Sequence, residues 1–110
     1  MKLMIYLMGE DGGETPIYKK EDFHPCDAKS DKSIIDEAYD IAFRDVVFNY
    51  FDNGFGFSRH DIRLIDGDKL QSILSCSGRN VRYKFSEDGA MQIVENNSRP
   101  DRVFKIEIKK

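Results

Sequence analysis

Phe43-Arg44-Asp45-Val46-Val47-Phe48-Asn49-Tyr50-Phe51-Asp52-Asn53-Gly54-Phe55-Gly56-Phe57 is the stretch on which the fold turns. Before it, apolar residues recur at helical spacing; beyond it, they recur at the spacing of strands. Six of its fifteen residues are aromatic: Phe43, Phe48, Tyr50, Phe51, Phe55 and Phe57. So dense a segment either anchors a core or presents an adhesive surface.

Working back from Phe43, Ile35, Ala38, Tyr39, Ala42, Phe43, Val46 and Tyr50 fall on one helical face, with Asp36, Glu37, Asp40 and Arg44 on the other. Ser33 is expected as the N-cap, with Asp36 suiting the positive end of the helix dipole. Gly54, after Asn53, supplies a left-handed stop. The division fails in the last turns, where Val47 and Phe51 lie on the acidic side. A helix end apolar nearly all round is expected to be buried.

Working forward, Ile62–Ile65, Leu70–Cys76, Val81–Phe85, Ala90–Val94 and Val103–Ile108 read as strands. Asp66-Gly67-Asp68, Ser77-Gly78, Glu87-Asp88-Gly89 and Asn96 to Asp101 carry turn chemistry between them. Val81, Tyr83 and Phe85 alternate with Arg82 and Lys84, and Phe104, Ile106 and Ile108 with Lys105 and Glu107, so one sheet face is buried and the other wet. The connections are too short for helices, which predicts antiparallel pairing in a meander.

At the N-terminus, Lys2–Met8 is an apolar run of strand length that leads into Gly9-Glu10-Asp11-Gly12-Gly13, not into a cleavage site, so it reads as a first strand. Residues 9–32 show no clean periodicity; a structureless stretch of that length is unusual, so it is expected either to be functional or to contain a short element, attached to the core by Ile17, Tyr18 and Phe23. The fold class expected is α+β: a single antiparallel sheet, made of the N-terminal strand and the C-terminal meander, with one main helix on one face. At 110 residues the chain is one domain, 1–110.

The composition, 40% hydrophobic and 34% charged, is that of an ordinary globular protein, and no apolar run reaches the ~20 residues of a membrane span. A cytoplasmic location follows by default, with Cys26 and Cys76 as free thiols. The net charge of −3 divides as −6 over residues 1–55 and +3 over residues 56–110. An acidic side and a mildly basic side are therefore expected.

Signals for catalysis are weak. His24, Cys26, His60 and Cys76 make a zinc-compatible set in number, without the paired spacing of structural zinc sites, so no metal and no cofactor is expected. Ser58, Cys26 or Cys76 beside His60 or His24 has no elbow motif to support it. Gly9–Gly13 follows a strand but lacks the Lys-Ser/Thr pair of a phosphate loop. A non-enzymatic protein is the expectation.

Ile5-Tyr6-Leu7-Met8-Gly9 resembles the RNP2 strand of RNA-recognition motifs, and Gly54-Phe55-Gly56-Phe57 resembles the middle of RNP1. Asn53 and Ser58 depart from that pattern. The resemblance implies adjacent strands that stack single-stranded bases on Tyr6, Phe55 and Phe57, with phosphates on Arg82, Lys84 and Lys105. The favoured expectation is different. An acidic domain without catalytic signature fits a small inhibitor of a nucleic-acid-handling protein, of the toxin-immunity or phage anti-CRISPR type. Asp36, Glu37 and Asp40 would meet a basic groove of a protein partner, with Phe51, Phe55 and Phe57 as apolar anchors. A homodimer through the helix end or an open strand edge is a further possibility.

Overall fold

The structure is a computed structural model that describes residues 1–51, 55–60, 62–98 and 102–110, with the side chains of residues 79–84 and 92–98 outside the description. It is the expected α+β architecture. Strands β1 (Lys2–Met8), β2 (Glu14–Lys20), β3 (Phe55–Arg59), β4 (Arg63–Ile65), β5 (Lys69–Phe85), β6 (Met91–Ser98) and β7 (Arg102–Lys109) accompany one main helix, α1 (Asp31–Ile41). The sheet runs β2-β1-β7-β5-β3, every pair antiparallel, and β4 and β6 also pair with β5.

The segment 9–32 does contain an element of its own: Glu14–Lys20 turns back as β2 and pairs with β1. The turn that makes this possible is Gly-rich: Gly12 has φ +83°, and Asp11 Oδ1 accepts a hydrogen bond from the Gly13 amide at 2.9 Å. Ser77-Gly78 is not the expected turn. β5 runs through it without a break, so the two expected strands are one of 17 residues. Its first part, Lys69–Cys76, pairs with β7, and Arg79–Phe85 pairs with β6. Strand pairing on both sides of Ser77-Gly78 overrides the local turn preference of the dipeptide. At Asp66-Gly67 the expected turn does form, with φ +56° and +79°.

The helix also begins earlier than Ser33. Ser30 is the N-cap: its Oγ accepts from the Ser33 amide at 3.1 Å, while Ser33 Oγ accepts from the Ser30 amide at 3.2 Å. Ser33 is thus the third helical residue of a capping box, its hydroxyl in place of the usual Glu or Gln. After Ile41 the winding loosens to a π-helical turn, Ala42–Val46, then tightens to a 3₁₀ turn, Val47–Asn49. Through this rewinding the sequential residues Val46 and Val47 are both buried. Gly54 lies outside the described residues.

The helix covers one face of the sheet. Ile34, Ile35, Ala38, Tyr39, Ala42, Val46 and Val47 pack with Leu3, Ile5, Leu70, Leu74, Cys76, Phe104, Ile106 and Ile108. Phe23 joins them, and Ile17 and Tyr18 lie against them, as the sequence implied. Ser72 is the polar intruder on this face. Its hydroxyl donates to the His60 carbonyl at 3.0 Å and accepts from the buried Tyr39 hydroxyl, so neither group is left unpaired.

Candidate functional site: an aromatic edge beside an acidic helix

Register places the aromatic residues. Phe55, Phe57 and Arg59 oppose Gly78, Cys76 and Leu74, and therefore point to the helix side of the sheet. There they meet the end of the helix. Phe43 lies 4.6 Å from Phe57 and 5.7 Å from Phe55 between ring centroids, and Phe48 meets Phe55 edge-on at 5.3 Å. Phe51 closes the cluster from below, 5.6 Å from Phe55.

Burial sorts these rings into two groups. Phe51 is 3% exposed and belongs to the core, so it cannot be the anchor that the sequence suggested. Phe55 is half-buried. Phe57 and Phe48 are 52% and 59% exposed, and Leu64 on neighbouring β4 is 54% exposed. The segment is thus both things at once: a core anchor at Val47 and Phe51, and a surface patch at Phe48 and Phe57. Phe48 as a surface residue was not foreseen, and its place outside the helix's apolar stripe was the available signal.

Arg59 ties the patch to the helix. Its guanidinium lies 4.2 Å from the Tyr39 ring centroid and about 5.5 Å from those of Phe43 and Phe57, and it donates to Asp36 at 3.3 Å. The three acids proposed from the sequence separate here. Asp36 accepts from Arg59 and from Lys32, the latter at 2.9 Å. Glu37 is occupied locally: its carboxylate accepts from the Cys26 and Asp27 amides at 2.8 and 3.2 Å, which holds its pKa below the ordinary value. Asp40 is exposed and, among the described residues, in no ion pair.

The residues of the stacking platform are not brought together. Tyr6 opposes Lys105, and both lie on the sheet face away from the helix, whereas Phe55 and Phe57 lie on the helix side. β7 and β5 also separate β1 from β3. Lys105 Nζ sits 4.6 Å from the Tyr6 ring centroid and is paired with Glu14 and Glu107. Burial alone would lower its pKa, but the hydrogen bond to Glu14 and the charges of both glutamates raise it. Arg82 and Lys84 have side chains outside the described residues. The uncovered face does carry one basic row, in which Lys2, Lys109 and Lys69 oppose one another across three strands.

The catalytic candidates fare as follows. His60 Nε2 lies 3.3 Å from Ser75 Oγ beside a cavity of about 310 Å³. Among the described residues no carboxylate orients that imidazole. Cys76 is fully buried, and its desolvated thiol is pushed up to about 11. Cys26 is exposed, its pKa raised by the Glu37 carboxylate. No group of three or more His, Cys, Asp or Glu side chains able to hold a metal is found among the described residues. Nor is any described helix long and apolar enough to cross a membrane.

The class defined by this geometry is an α+β fold with an exposed aromatic edge joined through Arg59 to the Asp36 carboxylate. Comparison with known proteins finds no matching family model, no similar curated protein and no similar solved structure.

Proposed function

We propose that the chain is a non-enzymatic binding protein that inhibits a nucleic-acid-handling protein by covering a basic surface of it, in the manner of toxin-immunity or phage anti-CRISPR proteins. The class is an analogy; the observation that supports it is the exposed pair Phe48 and Phe57 about Phe55, next to Arg59 and the half-exposed carboxylate of Asp36, with the exposed carboxylate of Asp40 one helical turn further on. Apolar anchors ringed by charge are what a partner surface needs for affinity and steering respectively. The test is affinity capture from host lysate after nuclease treatment, using the wild type, Phe48→Ser and Asp40→Lys. A stoichiometric protein partner retained by the wild type and lost with either variant is expected. Loss of all captured protein on nuclease treatment refutes the reading.

A second reading, single-stranded nucleic-acid binding, draws on the uncovered face, where Tyr6 lies near the lysine row. It requires affinity for free single strands that falls steeply with salt. Retention of such affinity in Phe48→Ser would assign nucleic-acid binding to that face and leave the aromatic edge out of it.

A further inference from the structure

The two terminal strands of the sheet are built differently. β2, at one edge, carries Pro16, Lys19 and Lys20, and its register against β1 shifts at Ile5/Tyr6. Proline, lysine and a register break are the devices by which proteins keep an edge from pairing with another chain. β3, at the opposite edge, has none of them. Its sequence is Phe55-Gly56-Phe57-Ser58-Arg59, and its one charge is drawn inward over Tyr39 and onto Asp36. Among the described residues its pairing is with β5 alone, so its outer edge is open.

This edge is also complementary to itself. Two copies of β3 laid antiparallel across a two-fold axis pair all five residues only when the axis passes at Phe57. That register sets Phe57 against Phe57, Gly56 against Ser58, and Phe55 against Arg59 of the second copy. It joins ring to ring and ring to guanidinium, the favourable kinds of cross-strand pair. A register centred on Arg59 would instead oppose like charges. Among the described residues, the exposed large hydrophobics Phe48, Phe57 and Leu64 lie along this margin.

We propose that β3 pairs with β3 of a second copy, so that two sheets join into one continuous sheet with both helices on the same side. The proposal goes beyond the partner-binding reading and does not depend on it. The dimer is isologous, so it closes and does not propagate. It takes Phe57 out of the surface open to a partner and leaves Phe48, and Asp40 on the helix, exposed in each copy.

The test is site-specific crosslinking in a Cys26→Ser, Cys76→Ala background, because Cys76 lies directly across from Phe57 on β5 and would otherwise capture the new thiol within one chain. Phe57→Cys is expected to form a covalent dimer on mild oxidation, because directly opposed Cβ atoms lie within reach of a disulfide. Phe55→Cys alone is expected not to, while Phe55→Cys mixed with Arg59→Cys is. Sedimentation equilibrium of the wild type at about 0.1 mM should show a dimer, and Phe57→Lys a folded monomer, in the weak-interface regime that so short a strand implies. A wild-type monomer at that concentration overturns the proposal. So does a dimer that crosslinks equally well through Phe55→Cys alone. Neither outcome touches lysate capture by Phe48 and Asp40.

Discussion

The carboxylate of Glu37 shows how one residue's partners decide its role. On the helix wheel it is an acid like Asp36 and Asp40, facing water. In the fold it binds the amides of Cys26 and Asp27, so it pins the segment before the helix to the second helical turn. Replacing it with Gln weakens the hydrogen bond to the Cys26 thiol and removes the negative charge, the two effects that raise the thiol pKa, and the thiolate fraction rises. Faster labelling of Cys26 by a disulfide reagent at pH 8 is expected in Glu37→Gln than in the wild type, while Cys76 reacts only on unfolding. Cys76 also makes stability depend on pH. Its folded value of about 11 lies above the ordinary 9.0, so the thiol favours the folded state fully below pH 9, and that contribution is lost as pH rises through about 11. Denaturant melts at pH 8 and pH 11 should show a smaller alkaline loss in Cys76→Ala than in the wild type.

At the scale of elements, the helix is held by its ends. The Ser30–Ser33 capping box satisfies two amides that would otherwise face outward, and Ser30→Ala should lower stability by about 1 kcal/mol. At the other end, the π and 3₁₀ turns deliver Val47 and Phe51 to the core while leaving Phe48 in water. The rings next to the strand β3 therefore differ sharply in cost. Phe51→Ala should destabilise by about 3–5 kcal/mol through the cavity it leaves. Phe57→Ala, half-exposed, should stay within about 1 kcal/mol. Chemical denaturation of the two variants checks the distinction between core ring and surface ring.

The whole molecule is elongated. Its Cα radius of gyration is 17.4 Å, against about 13 Å for a compact domain of this length, and its long axis extends 61 Å. The reason is β5, whose second half continues past the sheet and, among the described residues, pairs with β6 alone. Exposed Phe85 and Met91 oppose each other at the end of that ribbon. Small-angle scattering of the Phe57→Lys monomer should give a radius well above the compact value. A value near 13 Å would mean that the ribbon folds back onto the domain.

Local and periodic features were legible in the chain itself. The first strand, the helix with its acidic and apolar faces, the β-rich second half and the turn at Asp66-Gly67 follow from spacing and side-chain chemistry, which act over a few residues. Pairing was not legible. β2 lacks a pattern of its own and exists because β1 offers it an edge; Ser77-Gly78 stays extended because β3 pairs with it directly, while β7 and β6 pair with the residues before and after it. The site divides the same way. The aromatic density of Phe43–Phe57 marked it as core anchor or exposed surface, and the structure makes it both, with Phe51 buried and Phe48 and Phe57 exposed. Tertiary structure alone decided that Phe51 is core, that Glu37 serves the loop, and that Tyr6 faces away from Phe55 and Phe57. In each case the deciding quantity was which distant segment lies alongside, and that is set by the global packing of the sheet and not by any window of sequence.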